Sequence, residues 1–385
     1  MLTVKEKCTG CRICSEVCPK NAITMIEDEE GFLYPHINNS ICINCSKCEQ
    51  TCPILNVTTH SIQKAKVGIH LEPSNIRNSA SGGAFFALCE ELIPKGYVVF
   101  GAEWDKNLQV KHSFATTLDN CEVFRKSKYI QSDTTGCYAK IKQIIREGGK
   151  VLFTGTPCQV AACKNFMNNH PNLLLVDLIC HGVPSQKVFN KELSYLEKKH
   201  HSKIIEYSFK SKHPFHGNFN CRTCRITNEK GDIFLCDKHN DPFLRGYYAR
   251  LLNRPSCSHC IFAQSARVGD ITLGDAWDIE NIYPFLNSMK GVSLILFNTD
   301  KGLKYAESLQ KRMNLYDIST KWAISKNEQL RKPSDEHPCR DVFFKNIDKE
   351  DFSHLIYRLT NRTKKEYLKW KVKIFLKDHI LHYIR

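Results

Sequence analysis

With 385 residues, 42% of them hydrophobic and 25% charged, the chain has room for two or three domains and a sizeable core, and no run approaches the roughly 18 apolar residues of a membrane span. The formal charge of +15 is uneven: residues 1–56 sum to −2 and leave +17 on the remainder. That basic surface suits acidic proteins, a phosphorylated cofactor or anionic lipid, whereas no zinc-finger, RRM-type or helix-turn-helix signature supports nucleic acid.

The opening "MLTVKEKCTG" contains no apolar signal core, so a cytoplasmic protein is expected. Stable disulfides are rare there, and twenty cysteines then point first to metal. Two runs share the spacing C-x2-C-x2-C-x3-C-P: Cys8, Cys11, Cys14, Cys18 and, 34 residues later, Cys42, Cys45, Cys48, Cys52. Three thiolates on short spacers wrap one iron–sulfur cubane, and the displaced fourth ligates the other cluster. One 4Fe–4S cluster is thus expected on Cys8, Cys11, Cys14 and Cys52, the second on Cys42, Cys45, Cys48 and Cys18. Pro19 and Pro53 turn the chain away after the last ligand. A zinc site uses two C-x2-C pairs and leaves the third cysteine and the proline unexplained. "GFLYPHI" and "EDEEG" between the runs read as strand and turn, giving an α+β ferredoxin-like two-cluster module over 1–58.

From residue 66 short apolar runs alternate with helical ones. "KVGIHL", "YVVFGAEW", "KVLFTG", "LLLVDLIC", "ITLGDAW" and "VSLILFNT" read as strands. "GGAFFALCEELIPKG", "PCQVAACKNFM" and "QKVFNKELSYLEKKH" read as helices, which together predict an α/β domain with a largely parallel or mixed sheet. No G-x-G-x-x-G supports an ordinary dinucleotide fold. "SASGGAFFAL" places Ser79, Ser81, Gly82 and Gly83 at a helix start, where free N–H groups favour a phosphate; a plain capped turn reads the same way. In "LFTGTPCQVAA" a buried strand ends at Thr154, Gly155 and Thr156, and Cys158 sits in the first helical turn, where a thiolate is favoured. Cys180 follows the next strand in "LICHGVPS", so both thiols face the strand C-termini, where α/β sheets bind ligands. Two C-x2-C pairs remain, Cys221/Cys224 and Cys257/Cys260. Spacing allows either pair to complete a site with Cys158 and Cys180, or both to form a zinc knuckle.

Together "SASGGAFFAL", "KYIQSD", "FTGTPCQVAAC", "DLICHGVPS" and "RPSCSHCIFAQSARVGDITLGDAW" resemble, in order, the β subunit of the hydrogenase and dehydrogenase acting on coenzyme F420. The resemblance runs from residue 1 to about 300. It implies an α/β flavin-binding domain over 66–320 with mixed sheet, holding FAD beside a third 4Fe–4S cluster on Cys158, Cys180, Cys257 and Cys260. It makes the serine-glycine helix start a phosphate site and Lys128, Tyr129 and Gln131 flavin contacts. Asp270 and Asp275 become ribose candidates beside an equal reading as a structural turn. Cys221 and Cys224 fall outside the family pattern and are left as a local zinc site with Cys236 or His216, or as plain thiols.

The function so implied is an iron–sulfur flavoprotein oxidoreductase. It would pass electrons between the ferredoxin-type clusters and a FAD that exchanges hydride with a small-molecule substrate or deazaflavin-like cofactor. An electron donor or acceptor protein is the expected partner. The alternative is a non-catalytic electron-transfer subunit that feeds a partner enzyme, with surface-polysaccharide biosynthesis as one setting; a zinc- and iron-containing scaffold is a third. Residues 321–385 read as a basic helical tail. Its segment 363–385 carries seven Lys/Arg against two acids, with Tyr367, Trp370, Ile374 and Leu381 at helical spacing. Such a helix lies on an anionic membrane or packs on protein with equal ease.

Overall fold

The computed structural model describes residues 4–212 and 222–360, with the short strands Pro214–Phe215 and Asn218–Phe219 placed between them. The tail segment 363–385, Cys221 and His216 lie outside the described residues.

The N-terminal unit is built around one hairpin, β1 (Ile23–Glu27) and β2 (Leu33–Ile37), paired antiparallel with Ile23 opposite Ile37. Each cysteine run wraps a loop that ends in a short helix, Ile13–Val17 or Lys47–Thr51. The 34-residue repeat is visible in the backbone. Gly10 and Arg12 adopt left-handed φ around Cys11, and Asn44 and Ser46 do the same around Cys45. Gly10 has a second reason to lack a side chain: a Cβ there would stand 2.6 Å from Nη1 of Arg254.

The larger unit contributes β3 (Lys64–His70), β4 (Tyr97–Trp104), β5 (Val110–Ala115), β6 (Lys150–Gly155) and β7 (Leu173–Leu178). After these come β8 (Ile204–Ser208), β9 (Pro214–Phe215), β10 (Asn218–Phe219), β11 (Cys224–Asn228) and β12 (Ile233–Cys236). The last three strands are β13 (Ile271–Asp275), β14 (Ser293–Phe297) and β15 (Met313–Ile318). Eight of them form one mixed sheet in the order β15-β3-β14-β13-β7-β6-β4-β5. Its centre, β13-β7-β6-β4, is parallel and its flanks antiparallel. Both faces are covered, which is why β6 and β7 are apolar without alternation. Helix Ala84–Leu92 packs on one face against Leu152, Val176 and Ile295. Helices Cys137–Arg146 and Pro157–Phe166 pack on the other with Phe153 and Leu175, and Cys11 and Ile13 of the N-terminal unit join that core.

A second sheet, β12-β11-β8, forms its own core with helices Gln186–His200 and Pro242–Tyr248. Helices Arg340–Asn346 and Phe352–Thr360 belong to this core through Phe343, Phe352, Leu355 and Ile356. Sequence reading grouped 340–360 with the basic tail. The apolar stripe of these two helices packs them on the domain instead, well before the lysine-rich stretch begins. Among the described residues no helix is long and apolar enough to cross a membrane.

The seam between the two units is polar and specific. Arg254, 1% exposed, donates from Nε to the Cys8 carbonyl (2.7 Å), from Nη2 to the Leu33 carbonyl (2.8 Å) and from Nη1 to Oε1 of Gln131 (3.1 Å). Tyr138 donates to the Cys11 carbonyl, Arg340 pairs with Glu30, and Arg12 pairs with Asp133. Glu16 accepts from the backbone N–H groups of Gly136 and Ala139, at the start of helix Cys137–Arg146.

Candidate functional site

Twelve thiols gather in three groups. Burial raises the Cys14 thiol to about 12, and its neighbours Cys8, Cys52 and Cys48 add to the rise. Cys52 is raised by burial, with Cys8 and Cys48 beside it. Cys48 is raised by burial, then by Cys45, Cys18 and Cys42. Thus Cys52 stands with the first run and Cys18 with the second. In the larger unit burial pushes Cys180 well up, with Cys257, Cys158 and Cys260 adding to it. Burial raises Cys257 to about 12, with Cys260 and Cys158 adding to it, and raises Cys260 to about 11, with Cys158 adding to it. Each of these four keeps some accessible surface. Among the described residues no three such groups converge as a single metal ion requires. Cys11 lies within reach of both Cys14 and Cys158, which joins the first ferredoxin run to the inner four.

Chain topology explains the inner group. Cys158 follows β6 in the first turn of helix Pro157–Phe166, which Thr156 and Gln159 cap reciprocally. Cys180 follows β7, the neighbour of β6 in the sheet. Cys257 ends a 3-10 turn, Pro255–Cys257, whose approach is fixed by Arg254 N–H donating to the Val183 carbonyl at 2.9 Å.

Cys180 also lines a cavity of about 270 Å³ at the C-terminal ends of β6, β7 and β13. Arg125, Lys126, Lys128 and Lys210 line it against one carboxylate, Asp275. Burial works to raise the Asp275 carboxyl, but the Lys210 ammonium 2.6 Å away outweighs it and holds the group below the usual range. Burial lowers Lys128 to about 7, and its Nζ donates to the carbonyls of Val123 and Arg125. Helix Ala84–Leu92 opens onto the same cavity from Gly83, which has a φ of +97° and supplies no side-chain cap, while the Ala84 N–H donates to Ser293 Oγ at 3.4 Å. Beside it Arg125 donates to Ser79 Oγ (3.3 Å) and Asn75 Oδ1 (3.0 Å) and lies over the Phe86 ring. Its Nε is buried with no partner. Tyr129 and Tyr247 supply a stacked aromatic wall, with ring centroids 4.4 Å apart.

Residues 7–55 match the 4Fe-4S dicluster domain, and residues 148–320 match the family described as the C terminus of the beta subunit of coenzyme F420 hydrogenase/dehydrogenase. The two matches follow one another along the chain, a dicluster ferredoxin segment first and then a segment similar to the C terminus of that beta subunit, which covers less than half of the residues. It is 21% identical over 192 residues to a subunit of the F(420)H(2) dehydrogenase of Methanosarcina mazei, covering 46% of this chain and 53% of that protein. Its ferredoxin unit is 41% identical over 49 residues to an uncharacterized ferredoxin of Methanocaldococcus jannaschii, covering 13% of this chain and 62% of that one. The chain therefore spans about half to three-fifths of the length of these two curated relatives. A solved F420-reducing NiFe hydrogenase complex from Methanosarcina barkeri aligns with a TM-score of 0.47 and 16% identity, over 83% of this chain and 94% of that one.

Within the larger unit, most of the residues expected at the cofactor do line the cavity: Ser79, Ser81, Gly83, Lys128 and Tyr129, with Thr154, Gly155 and Thr156 opposite. Three of the expected contacts lie elsewhere. Gly82 packs between strands, where a Cβ would stand 2.2 Å from the Gly68 carbonyl oxygen. Gln131 donates to the Thr9 carbonyl at 2.9 Å and so serves the seam. Asp270 accepts from the Leu175 N–H and from Thr299, which makes it a structural carboxylate, while Asp275 alone of the ribose candidates lines the cavity. Cys224 pairs across the strands with Cys236, and Cys236 donates to buried Asp241. Sequence reading missed Arg125, Lys210, Tyr247 and Arg254. Only the last stood in a quoted motif, "RPSCSHC".

Proposed function

We propose that this chain is an iron–sulfur flavoprotein oxidoreductase. In this reading the clusters of Cys8/Cys11/Cys14/Cys52 and Cys18/Cys42/Cys45/Cys48 exchange electrons, through a third on Cys158/Cys180/Cys257/Cys260, with FAD in the cavity. The observation that carries the reading is the continuity of thiols from surface to cavity. Cys48 neighbours Cys14, Cys11 neighbours Cys158, and Cys180 lines the cavity.

The residues present fit both groups. Four thiols that share a neighbourhood without closing on one point suit a cubane better than a single ion, whose ligands stand about 2.3 Å from one centre. For the flavin, the helix start, Arg125 and its unpartnered Nε suit an anionic diphosphate. The Tyr129–Tyr247 wall suits an aromatic ring.

A bound flavin supplies two-electron exchange with a substrate and one-electron exchange with clusters. The chain's own part is to bind, orient and insulate. Arg125 fixes the loop that carries Ser79. Lys212 donates to the Ser81 carbonyl from the other side. Lys210 neutralises Asp275 so that no bare carboxylate faces an anionic ligand. Lys128, lowered to about 7 by burial, holds a proton that it can release near neutral pH. The substrate would be a small molecule or a deazaflavin-like cofactor, and the opposite terminus of the path a partner protein at the ferredoxin unit.

Iron and flavin content of anaerobically purified protein tests the reading. About twelve irons and one FAD per chain are expected. About eight irons without flavin would reduce the chain to an electron-transfer subunit, the second reading that the half-open second cysteine run favours.

A further inference from the structure

One hydrogen-bonding atom of the cavity wall has no task in the flavin reading above. His112, in β5, is 6% exposed and lines the cavity. Its ring lies nearly flat on Phe153, centroids 5.3 Å apart and planes 22° apart. Nε2 stands 2.9 Å from the Thr154 carbonyl oxygen. A carbonyl only accepts, so Nε2 carries the proton and Nδ1 is left as a bare acceptor. Nδ1 is buried and has no partner. Burial lowers the ring to about 4, more than the Thr154 contact raises it, with Lys128 lowering and Asp133 raising it further off. The imidazole is therefore neutral at any pH where the protein works, and Nδ1 stays an acceptor. A buried acceptor without a donor is a standing cost that a ligand carrying an N–H would remove.

We propose that Nδ1 of His112 accepts a hydrogen bond from a ring N–H of the heterocycle bound in the cavity. The proposal rests on the flavin reading. For that ligand the donor is N3–H, the one ring N–H of an oxidised isoalloxazine. His112 is then the residue that distinguishes a flavin with a free N3–H from an N3-substituted one.

Flavin-stripped protein with its clusters intact is titrated with FAD and with 3-methyl-FAD, followed by quenching of flavin fluorescence. Wild type should bind FAD about tenfold tighter than 3-methyl-FAD. His112→Phe, which can keep the stack on Phe153, should bind both alike and FAD about tenfold more weakly. His112→Gln, with an amide oxygen to accept and an amide N–H for Thr154, should restore part of the preference. Equal binding of the two flavins by wild type overturns the role of His112 and leaves the flavin reading standing. No FAD binding by wild type overturns both. A His112→Phe variant that still prefers FAD assigns the discrimination to another atom and also overturns the proposal.

Discussion

The second cysteine run and the inner four thiols offer the same ligand chemistry in surroundings that differ by degree. Cys45 is exposed, Cys18, Cys42 and Cys48 are half-buried, and Ile41 and Ile43 stand out into solvent beside them. The inner thiols are enclosed enough that burial pushes Cys257 to about 12 and Cys260 to about 11. Cluster potentials follow net charge, hydrogen bonds to sulfur and solvent exposure. Loss of solvation disfavours added negative charge, so identical cubanes at the two places would differ in ease of reduction. Access differs in the same sense. The second run carries an exposed thiol, Cys45, while Cys180 lies in the cavity wall. In the proposed reading, the place where single electrons enter or leave is then separate from the place where a small molecule is bound.

The sharpest break of that comparison removes one ligand from each end. Cys158→Ala should cost the inner cluster alone, taking iron from about twelve to about eight per chain and leaving the ferredoxin-type spectrum in place. Cys45→Ala should lose a similar amount of iron from the other end and leave flavin binding untouched. If Cys158→Ala retained all its iron, the inner thiols would not be cluster ligands and the contrast would have no chemistry behind it.

A smaller effect is expected at the seam that holds the two regions in register. Arg254 is fully buried, bonds the carbonyls of Cys8 and Leu33, and lies 4.3 Å from the Tyr34 ring centroid. Arg254→Met keeps much of the bulk but strands those acceptors. It should cost roughly 2–4 kcal/mol, because bonds from a charged donor are worth about 1.5–3 each and an abandoned buried acceptor adds to the loss. Thermal unfolding measures the loss. Flash-induced electron transfer between flavin and the ferredoxin clusters should slow in the variant, since the Cys11–Cys158 approach depends on this docking. An unchanged melting temperature would mean that the remaining seam contacts suffice.

Sequence and structure agree where a pattern is local. The eight ferredoxin cysteines were legible because each triad sits within seven residues, and the loops that shape them repeat with the same left-handed positions. Strands β4 and β6 and helix Gln186–His200 were legible from unbroken apolar or 3.6-residue patterns. The inner four thiols were not separable from Cys221 and Cys224 by spacing, because two neighbouring strands, β6 and β7, and a turn near residue 255 must meet first; the resemblance to a family supplied that choice. His112, Arg125 and Lys210 carry no local signature at all. Their meaning comes from pairings across tens of residues, such as His112 with Thr154 and Lys210 with Asp275. Gln131 was misplaced for the mirror reason: a residue in a suggestive motif turned out to face the neighbouring unit.

The least disruptive test asks whether the exposed end is a docking place. Ile43 is 56% exposed and lies between Cys42 and Asn44. Its side chain contributes little burial, so Ile43→Asp should shift stability by less than about 0.5 kcal/mol. The new carboxylate would stand on the approach of a protein partner but would hardly hinder a small mediator. Reduction by a viologen dye should therefore keep its rate, while exchange with a ferredoxin should slow severalfold and recover in part as salt screens the added charge. Equal slowing of both donors would mean that the substitution disturbed the cluster itself. Slowing of neither would move protein docking away from the second run and leave the contrast between the two ends one of burial alone.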